Sequence, residues 1–163
     1  MKALIQRVRK GSVAVDGKLV GEVGRGLVVL LGVRGKDAAG DARDLAHKTV
    51  NLRIFPDAAD RMNLSVQEVE GQVLVVSQFT LYADTRRGNR PSFVEAAPAE
   101  QARELYNLYV ESLTRVLGQG RVATGVFGAS MLVEIANDGP VTIELCTDRP
   151  EMPQEPRLIQ ATQ

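Results

Sequence analysis

Histidine, cysteine and tryptophan are nearly absent: the 163 residues include one histidine, one cysteine and no tryptophan. Because Cys146 has no second cysteine to pair with, a disulfide within the chain is excluded, and its apolar strand context predicts a buried, inert thiol. His47 falls on the polar side of a predicted helix, so we expect it at the surface rather than in a Ser-His-Asp or Cys-His site. No cluster of histidines, cysteines or paired carboxylates has metal-ligand spacing. The sequence therefore predicts neither a metal nor another cofactor.

Long apolar runs and net charge are also missing. No run approaches the roughly 20 residues that span a membrane, and the opening MKALIQRVRK becomes charged too early for a signal-peptide core. We therefore expect a cytoplasmic protein with no membrane partner. Because 20 basic residues balance 20 acidic ones, nucleic acid could be attracted only by a local cluster. The densest is TRRGNR, with Arg86, Arg87 and Arg90, for which a solvated loop is the alternative interpretation.

Strand patterns occupy most of the chain, whose length suits one domain. GSVAVDGKLVGEVG predicts strands turned at Asp16-Gly17, and the continuous apolar run 26–33 predicts a central strand buried on both faces. The segment 73–82, VLVVSQFTLY, begins as another buried strand and breaks into polar residues. Two further strands, 131–136 and 141–145, are predicted to form a hairpin.

Two helices are predicted, at 38–51 and 98–117. Asp37 is the expected cap of the first helix, and Pro98 opens the second, which Gly118 ends. The inner faces are expected to carry Ala42, Leu45, Ala46 and Thr49 in the first helix, and Ala102, Leu105, Tyr106, Tyr109, Leu113, Val116 and Leu117 in the second. Because strands and helices do not alternate strictly, the predicted fold class is α+β.

The polar break SQFT, residues 77–80, ends an apolar strand. Active sites collect at such strand ends, although a strand that simply leaves the core is the alternative. The break offers backbone N–H groups, hydroxyls and an amide, which suit stabilising an oxyanion better than abstracting a proton. A site here would favour a labile substrate such as an activated ester. Gly139-Pro140, immediately before a strand, predicts a rigid turn that can aim its carbonyl oxygens outward.

Two segments, VVSQFTLYADTRRGNRPSF at 75–93 and TGVFGASMLVEIANDGPVTIEL at 124–145, together resemble the D-aminoacyl-tRNA deacylases of bacterial type. IQRV, DGKLVGEVGRGLVVLLGV, NLRIF and MNLSV are similar to the same family, in colinear order. The resemblance implies a deacylase domain over 1–146 with a largely antiparallel, barrel-like core and two helices. The Pro-containing tail 147–163 falls outside it and is expected to be mobile.

The resemblance implies hydrolysis of the ester in D-aminoacyl-tRNA, and of mischarged glycyl-tRNA, by a homodimer with its sites at the subunit interface. Ser77, Gln78, Phe79 and Thr80 would form the catalytic pocket segment. Gly139-Pro140, with a cis peptide bond, would reach in from the other subunit and exclude L-aminoacyl-tRNA. Backbone N–H groups near Phe79 and Thr80 would stabilise the oxyanion. Thr80 has no visible base partner, so a positioning role is favoured over a nucleophilic one.

For the tRNA, the resemblance implies that Phe127 and Met131 line the pocket of the terminal adenosine, with core packing as the alternative. It also favours phosphate contacts for Arg86, Arg87 and Arg90. Two other functions stay open: a non-catalytic RNA-binding module on the same dimeric fold, and an esterase acting on small activated esters.

Overall fold

The structure, a computed structural model, describes residues 1–147. The strands are β1 (Lys2–Val15), β2 (Lys18–Val23), β3 (Gly26–Gly32), β4 (Phe55–Pro56), β5 (Met62–Leu64), β6 (Gln72–Ser77), β7 (Val122–Thr124) and β8 (Leu132–Cys146). The helices are α1 (Ala39–Asn51) and α2 (Ala99–Leu117), with 3₁₀ helices at Phe79–Tyr82 and Gln119–Arg121. Of the predicted tail, 148–163 lies outside the described residues. Its first residue, Thr147, donates its backbone N–H to the Met1 carbonyl at 3.0 Å.

The fold is built on one curved sheet of six strands, and β4 and β5 form a separate two-stranded sheet. The order of the curved sheet is β2-β1-β3-β6-β7, and β8 pairs with β1 as well. The β1 pairings with β2, β3 and β8 are antiparallel, whereas β6 runs parallel to β3 and β7. The sheet curls until β2 approaches β7, where a side chain on Gly21 would lie 2.7 Å from the Thr124 carbonyl oxygen. The α+β prediction is confirmed, with a mixed sheet that nearly closes into a barrel.

Alternation along the buried strands divides the core into two clusters. Leu27, Val29 and Leu31 of β3 belong to the larger cluster, which includes the buried faces of both helices, while Val28 belongs to the smaller. The same alternation holds in β6, where Val73 and Val75 belong to the larger cluster and Leu74 and Val76 to the smaller. The strand predicted over 26–33 is central, as expected, between β1 and β6.

Both predicted helices are confirmed. The helix α1 buries its whole predicted face. The helix α2 buries its predicted face except at Ala102, which is half-buried, and at Val116, whose exposed fraction is 45%. The helices meet through a buried hydrogen bond between the hydroxyls of Thr49 and Tyr109, at 2.8 Å. Neither helix in residues 1–147 is long and apolar enough to cross a membrane.

The predicted hairpin over 131–145 is wrong, because β8 is one strand that runs beside β1 for most of its length. Val8 pairs with Asn137 and Gln6 pairs with Thr142, so residues 138–141 bulge opposite Arg7. The long strand β1 supplies partners to both halves of β8. A turn-forming Gly-Pro pair is therefore accommodated as a bulge inside one strand.

Two local predictions also need correction. Asp37 does not cap α1: its carboxylate accepts the Arg34 N–H at 2.6 Å and pairs with the Met1 α-ammonium at 2.7 Å. The N-cap is Ala38, and its N–H donates to the Asp41 carboxylate at 2.8 Å. Cys146 is half-buried rather than buried, with its Sγ 3.5 Å from a Glu144 carboxylate oxygen. His47 is exposed on α1, as predicted.

Candidate active site

The structure gathers five of the predicted site residues around one cavity of about 470 Å³. These residues are Ser77, Gln78, Phe79, Phe127 and Met131. They meet because β6 ends at Ser77, and because the loop between β7 and β8 carries Phe127 and Met131 to the same edge of the sheet. Thr80 lies next to the cavity, exposed, and its hydroxyl accepts a hydrogen bond from the Gln78 side-chain amide.

The walls of the cavity are mostly apolar, and among residues 1–147 no charged side chain lines it. Ala99 and Ala102 of α2 form part of one wall, and Phe93 of the preceding loop forms another part. Tyr106 also lines the cavity, but its hydroxyl donates to the Val75 carbonyl at 2.9 Å and burial raises its pKa. Tyr106 therefore stays neutral at physiological pH and cannot serve as a general base.

Phe127 and Met131 are held in place by their neighbours. The Phe127 ring packs edge-on against Tyr106, with ring centroids 5.6 Å apart and an interplanar angle of 61°. On α2, the Arg103 guanidinium lies 5.1 Å from the Phe127 ring centroid. A Cβ at Gly125 would lie 2.6 Å from the Met131 sulfur, so a larger residue there would displace the methionine side chain.

The backbone around SQFT is fixed by the sheet. The Gln78 N–H donates to the Leu31 carbonyl of β3 at 2.8 Å. In the 3₁₀ helix that follows, the Leu81 N–H is the first to bond, to the Gln78 carbonyl at 3.3 Å. The N–H groups of Phe79 and Thr80 precede that bond, and the donors at the start of a helix have no partner within the helix. They supply the kind of donor that an oxyanion needs.

The Gly139-Pro140 turn lies elsewhere, exposed in the β8 bulge, and its peptide bond is cis. The Asn137 side chain closes the turn: it accepts the Val141 N–H at 2.7 Å and donates to the Val141 carbonyl at 3.2 Å. From β1, Arg7 donates to the Asp138 carbonyl at 2.9 Å, and Arg9 lies 3.0 Å from the Asp138 carboxylate. The turn is therefore braced by side chains on both sides.

The turn lies opposite the middle of β1, away from the end of β6 where SQFT begins. Ser77 pairs with Leu31, which pairs with Ala3 of β1, whereas Asn137 pairs with Val8 of β1. From Ala3 to Val8 is five residues of strand, about 17 Å at the usual rise per residue. Within one protomer the structure therefore does not bring Gly139-Pro140 to Ser77, Gln78, Phe79 and Thr80.

The arginine loop begins beyond the 3₁₀ helix and is closed by paired backbone hydrogen bonds between Asp84 and Ser92, at 2.8 and 2.9 Å. The Arg86 guanidinium contacts both Asp84 carboxylate oxygens, at 2.8 and 2.7 Å, and these hydrogen bonds lower the Asp84 pKa to about 2. Arg87 and Arg90 are exposed beside them. Arg86 is thus already paired, unlike its two neighbours, for which residues 1–147 provide no hydrogen bond or ion pair.

Sequence reasoning missed the α2 side of the cavity. Ala99 and Ala102 had no signal beyond helical periodicity, and Phe93 lay in a polar loop. Arg103 follows Ala102 on the polar face of α2, and only its position beside the cavity distinguishes it from other surface arginines. In the part of the chain that the structure describes, no group of three or more histidine, cysteine or acidic side chains is placed to hold a metal ion.

Comparison with known proteins identifies the family. The profile of the D-Tyr-tRNA(Tyr) deacylase family matches residues 4–146. A D-aminoacyl-tRNA deacylase of Anaeromyxobacter dehalogenans is 58% identical over 149 residues, which are 91% of this chain and 99% of that protein. One of Syntrophobacter fumaroxidans is 54% identical over 145 residues, 89% of this chain and 96% of the other.

A solved structure agrees. The c-Myc DNA Unwinding Element Binding Protein is 41% identical and superimposes with a TM-score of 0.87, covering 91% of this chain and 100% of its own. The similarity in sequence and in fold extends over the whole described domain and confirms the resemblance seen in the SQFT and Gly-Pro segments. The chain therefore belongs to the D-Tyr-tRNA(Tyr) deacylase family, a family of hydrolases.

Proposed function

We propose that the protein hydrolyses the ester bond of D-aminoacyl-tRNA, releases the free D-amino acid and tRNA, and excludes L-aminoacyl-tRNA. The observation that carries this proposal is the apolar cavity at the end of β6, which SQFT shares with Phe127 and Met131. Its relatives are named for the same activity. The cytoplasm, where charged tRNA occurs, stays the predicted location.

The active form is a homodimer whose sites each combine two subunits. The separation of about 17 Å along β1 supports this arrangement, because the turn of one protomer cannot reach its own cavity. Within residues 1–147, β8 pairs only with β1. A second copy placed against this face would bring its Gly139-Pro140 turn to the cavity of the first, and the same surfaces would serve both subunits.

Selection of the D-isomer is made by backbone. Carbonyl oxygens of the Gly139-Pro140 turn accept hydrogen bonds from the α-ammonium group of the aminoacyl ester. An L-side chain then points into protein, whereas a D-side chain points outward. Because the rejection is steric, one site serves many D-amino acids, and glycine, which has no side chain, also passes. The bracing of the turn by Asn137 and Arg7 supports this role, since a steric filter must be rigid.

The reaction is an attack by water on the ester carbonyl carbon. The new carbon–oxygen bond forms a tetrahedral oxyanion near the N–H groups of Phe79 and Thr80, and the bond to the ribose oxygen then breaks. One proton of the attacking water passes through the adjacent 2′-hydroxyl to the ribose oxygen, which leaves as a hydroxyl group, and the oxyanion collapses to the carboxyl group of the free amino acid. One good oxyanion donor contributes about 3 kcal/mol, or ~100-fold in rate. Thr80, tied to Gln78, positions groups rather than attacking the ester.

The acceptor end of the tRNA completes the substrate. Phe127 and Met131 form the surface for the terminal adenosine, and the arginine loop contacts phosphates. Arg87 and Arg90 carry that contact, because Arg86 is engaged by Asp84.

The test is to incubate the protein in parallel with D-tyrosyl-tRNA, L-tyrosyl-tRNA and glycyl-tRNA and to follow ester survival. We expect loss of the D- and glycyl esters and persistence of the L-ester. Survival of the D-ester at micromolar protein would refute hydrolysis and leave the non-catalytic RNA-binding module. Uncharged tRNA is added in a second series: it competes with a tRNA deacylase but not with an esterase for small activated esters.

A further inference from the structure

Arg103 lies beside the cavity, and within residues 1–147 no acidic side chain pairs with it. In the described part of the chain the cavity lining holds no charged side chain, yet Arg103 on α2 places its guanidinium 5.1 Å from the Phe127 ring centroid. Arg103 is exposed, and no hydrogen bond or ion pair within residues 1–147 engages it. On the same helix, Arg115 donates to the Glu111 carboxylate at 2.8 Å.

The contact with Phe127 fixes where the guanidinium lies. A cation over an aromatic ring is attracted by the ring's electrons, and the ring itself is held edge-on by Tyr106. Phe127 lines the cavity and Arg103 does not, so the guanidinium beside the Phe127 ring lies at the edge of the cavity. The five donors of the guanidinium stay available because stacking on a ring uses none of them.

We propose that Arg103 binds the phosphate attached to the 5′ oxygen of the nucleoside in this cavity, which in the substrate is the link between the terminal adenosine and the preceding nucleotide. This inference rests on the proposed function, since it takes the cavity to hold that adenosine. An uncharged cavity can accept the base and ribose, but the phosphate that follows them needs a cation at the edge. A guanidinium matches a phosphate with two parallel hydrogen bonds.

The arginine loop is not placed to bind this phosphate. Arg86 is committed to both oxygens of Asp84, which neutralises its charge. Arg87 and Arg90 line a separate depression together with the Asp84–Arg86 pair and Ser92, and none of these residues lines the cavity. Arg87 and Arg90 are therefore placed to contact phosphates further along the tRNA, whereas Arg103 is placed to contact the phosphate next to the terminal nucleoside.

The experiment compares two ligands that differ only in the phosphate. The protein, Arg103→Gln and the matched control Arg115→Gln are titrated with adenosine and with adenosine 5′-monophosphate at low salt, followed by NMR. We expect the unmodified protein and R115Q to bind the monophosphate about tenfold more tightly than adenosine, the size of one charge-assisted contact. In R103Q the two affinities should become equal while the affinity for adenosine is kept.

Each other outcome overturns the proposal. Equal affinities in the unmodified protein would mean that no cation meets this phosphate, and a tenfold preference that survives in R103Q would assign it to another residue. A parallel loss of both affinities in R103Q would make Arg103 only a support for Phe127. Failure of both ligands to bind would mean that the cavity is not a nucleoside site. Hydrolysis of D-tyrosyl-tRNA is measured separately, so failure of the proposed function is recognised independently of this phosphate contact.

Discussion

The side-chain amide of Asn137 bonds both polar backbone groups of Val141, with its oxygen 2.7 Å from the Val141 nitrogen and its nitrogen 3.2 Å from the Val141 oxygen. It thus replaces the strand partner that these groups lose where β8 bulges away from β1. The three residues between Asn137 and Val141, which include Gly139 and Pro140, therefore project outward from the strand.

Asn137→Ala should therefore open the turn. Loss of these two hydrogen bonds, and of a third to the Thr142 hydroxyl, is expected to lower the free energy of unfolding by about 1–2 kcal/mol. The kcat/KM for D-aminoacyl-tRNA should fall at least about tenfold, because the turn no longer holds the α-ammonium group in one place. Urea unfolding and single-turnover assays measure the two effects. Asn107→Ala, at an exposed position of α2, is the control: it should keep the activity and slightly raise the stability, because alanine is the better helix former.

Gly139→Ala should be damaging for a different reason. Gly139 has φ of 139°, and a Cβ there would lie 2.7 Å from a Val141 methyl carbon and 2.9 Å from the Val141 nitrogen. The backbone of the turn must shift, so we expect weaker discrimination between D- and L-tyrosyl-tRNA or lower activity. Gly40→Ala meets no atom within 4 Å and lies in α1, so it should keep the activity and stabilise by up to about 1 kcal/mol. Unchanged rates and selectivity in G139A would remove the turn from the mechanism.

The three arginines of the loop should contribute unequally to tRNA binding. Arg87→Gln and Arg90→Gln should each raise KM for D-aminoacyl-tRNA and make the salt dependence of KM shallower, since each lost phosphate contact removes close to one counterion from the slope. Arg86→Gln should raise KM less than either, because Arg86 pairs with Asp84. Equal KM values for all three variants and the unmodified protein would mean that the loop is a solvated surface that does not contact the tRNA.

Asp84 should titrate far below its ordinary pKa of 3.8, at about 2, because Arg86 hydrogen-bonds its carboxylate. The pKa is lowered in the folded state, so the pairing contributes its full stability above about pH 4 and loses it as the pH falls toward 2. An NMR titration of the Asp84 carboxyl carbon measures the midpoint. In Arg86→Gln the midpoint should rise toward 3.8, and a midpoint near 3.8 in the unmodified protein would contradict the pairing.

The periodicity of apolar residues was sufficient to predict the strands that are buried on both faces and the helices that bury one face. The buried runs of β3 and β6 and the apolar faces of α1 and α2 follow from repeats of two and of 3.6 residues. Periodicity failed where a distant partner decides. Gly139-Pro140 indicates a turn, and only the length of β1 shows that β8 continues past it. Asp37 precedes a helix, as an N-cap residue does, but its carboxylate forms an ion pair with the Met1 amino group instead of capping the helix.

The site divides in the same way. SQFT could be found because a polar break in an apolar strand is visible in the sequence, whereas its distance from Gly139-Pro140 depends on strand register. The charge of Arg86 is visible, but its neutralisation by Asp84 depends on a loop closed by Ser92. Arg103 is one more surface arginine until Phe127 lies beside it.

The most direct test of the central claim is complementation between two defective subunits. One carries Gln78→Ala with Thr80→Val in the cavity segment, the other Asn137→Ala with Gly139→Ala in the turn, and the heterodimer is purified through two different tags. If each site takes its cavity from one subunit and its turn from the other, one of the two sites is intact, and the heterodimer should regain about half of the unmodified activity on D-tyrosyl-tRNA. A heterodimer no more active than its parents, or a fully active monomer, would contradict a site shared between subunits.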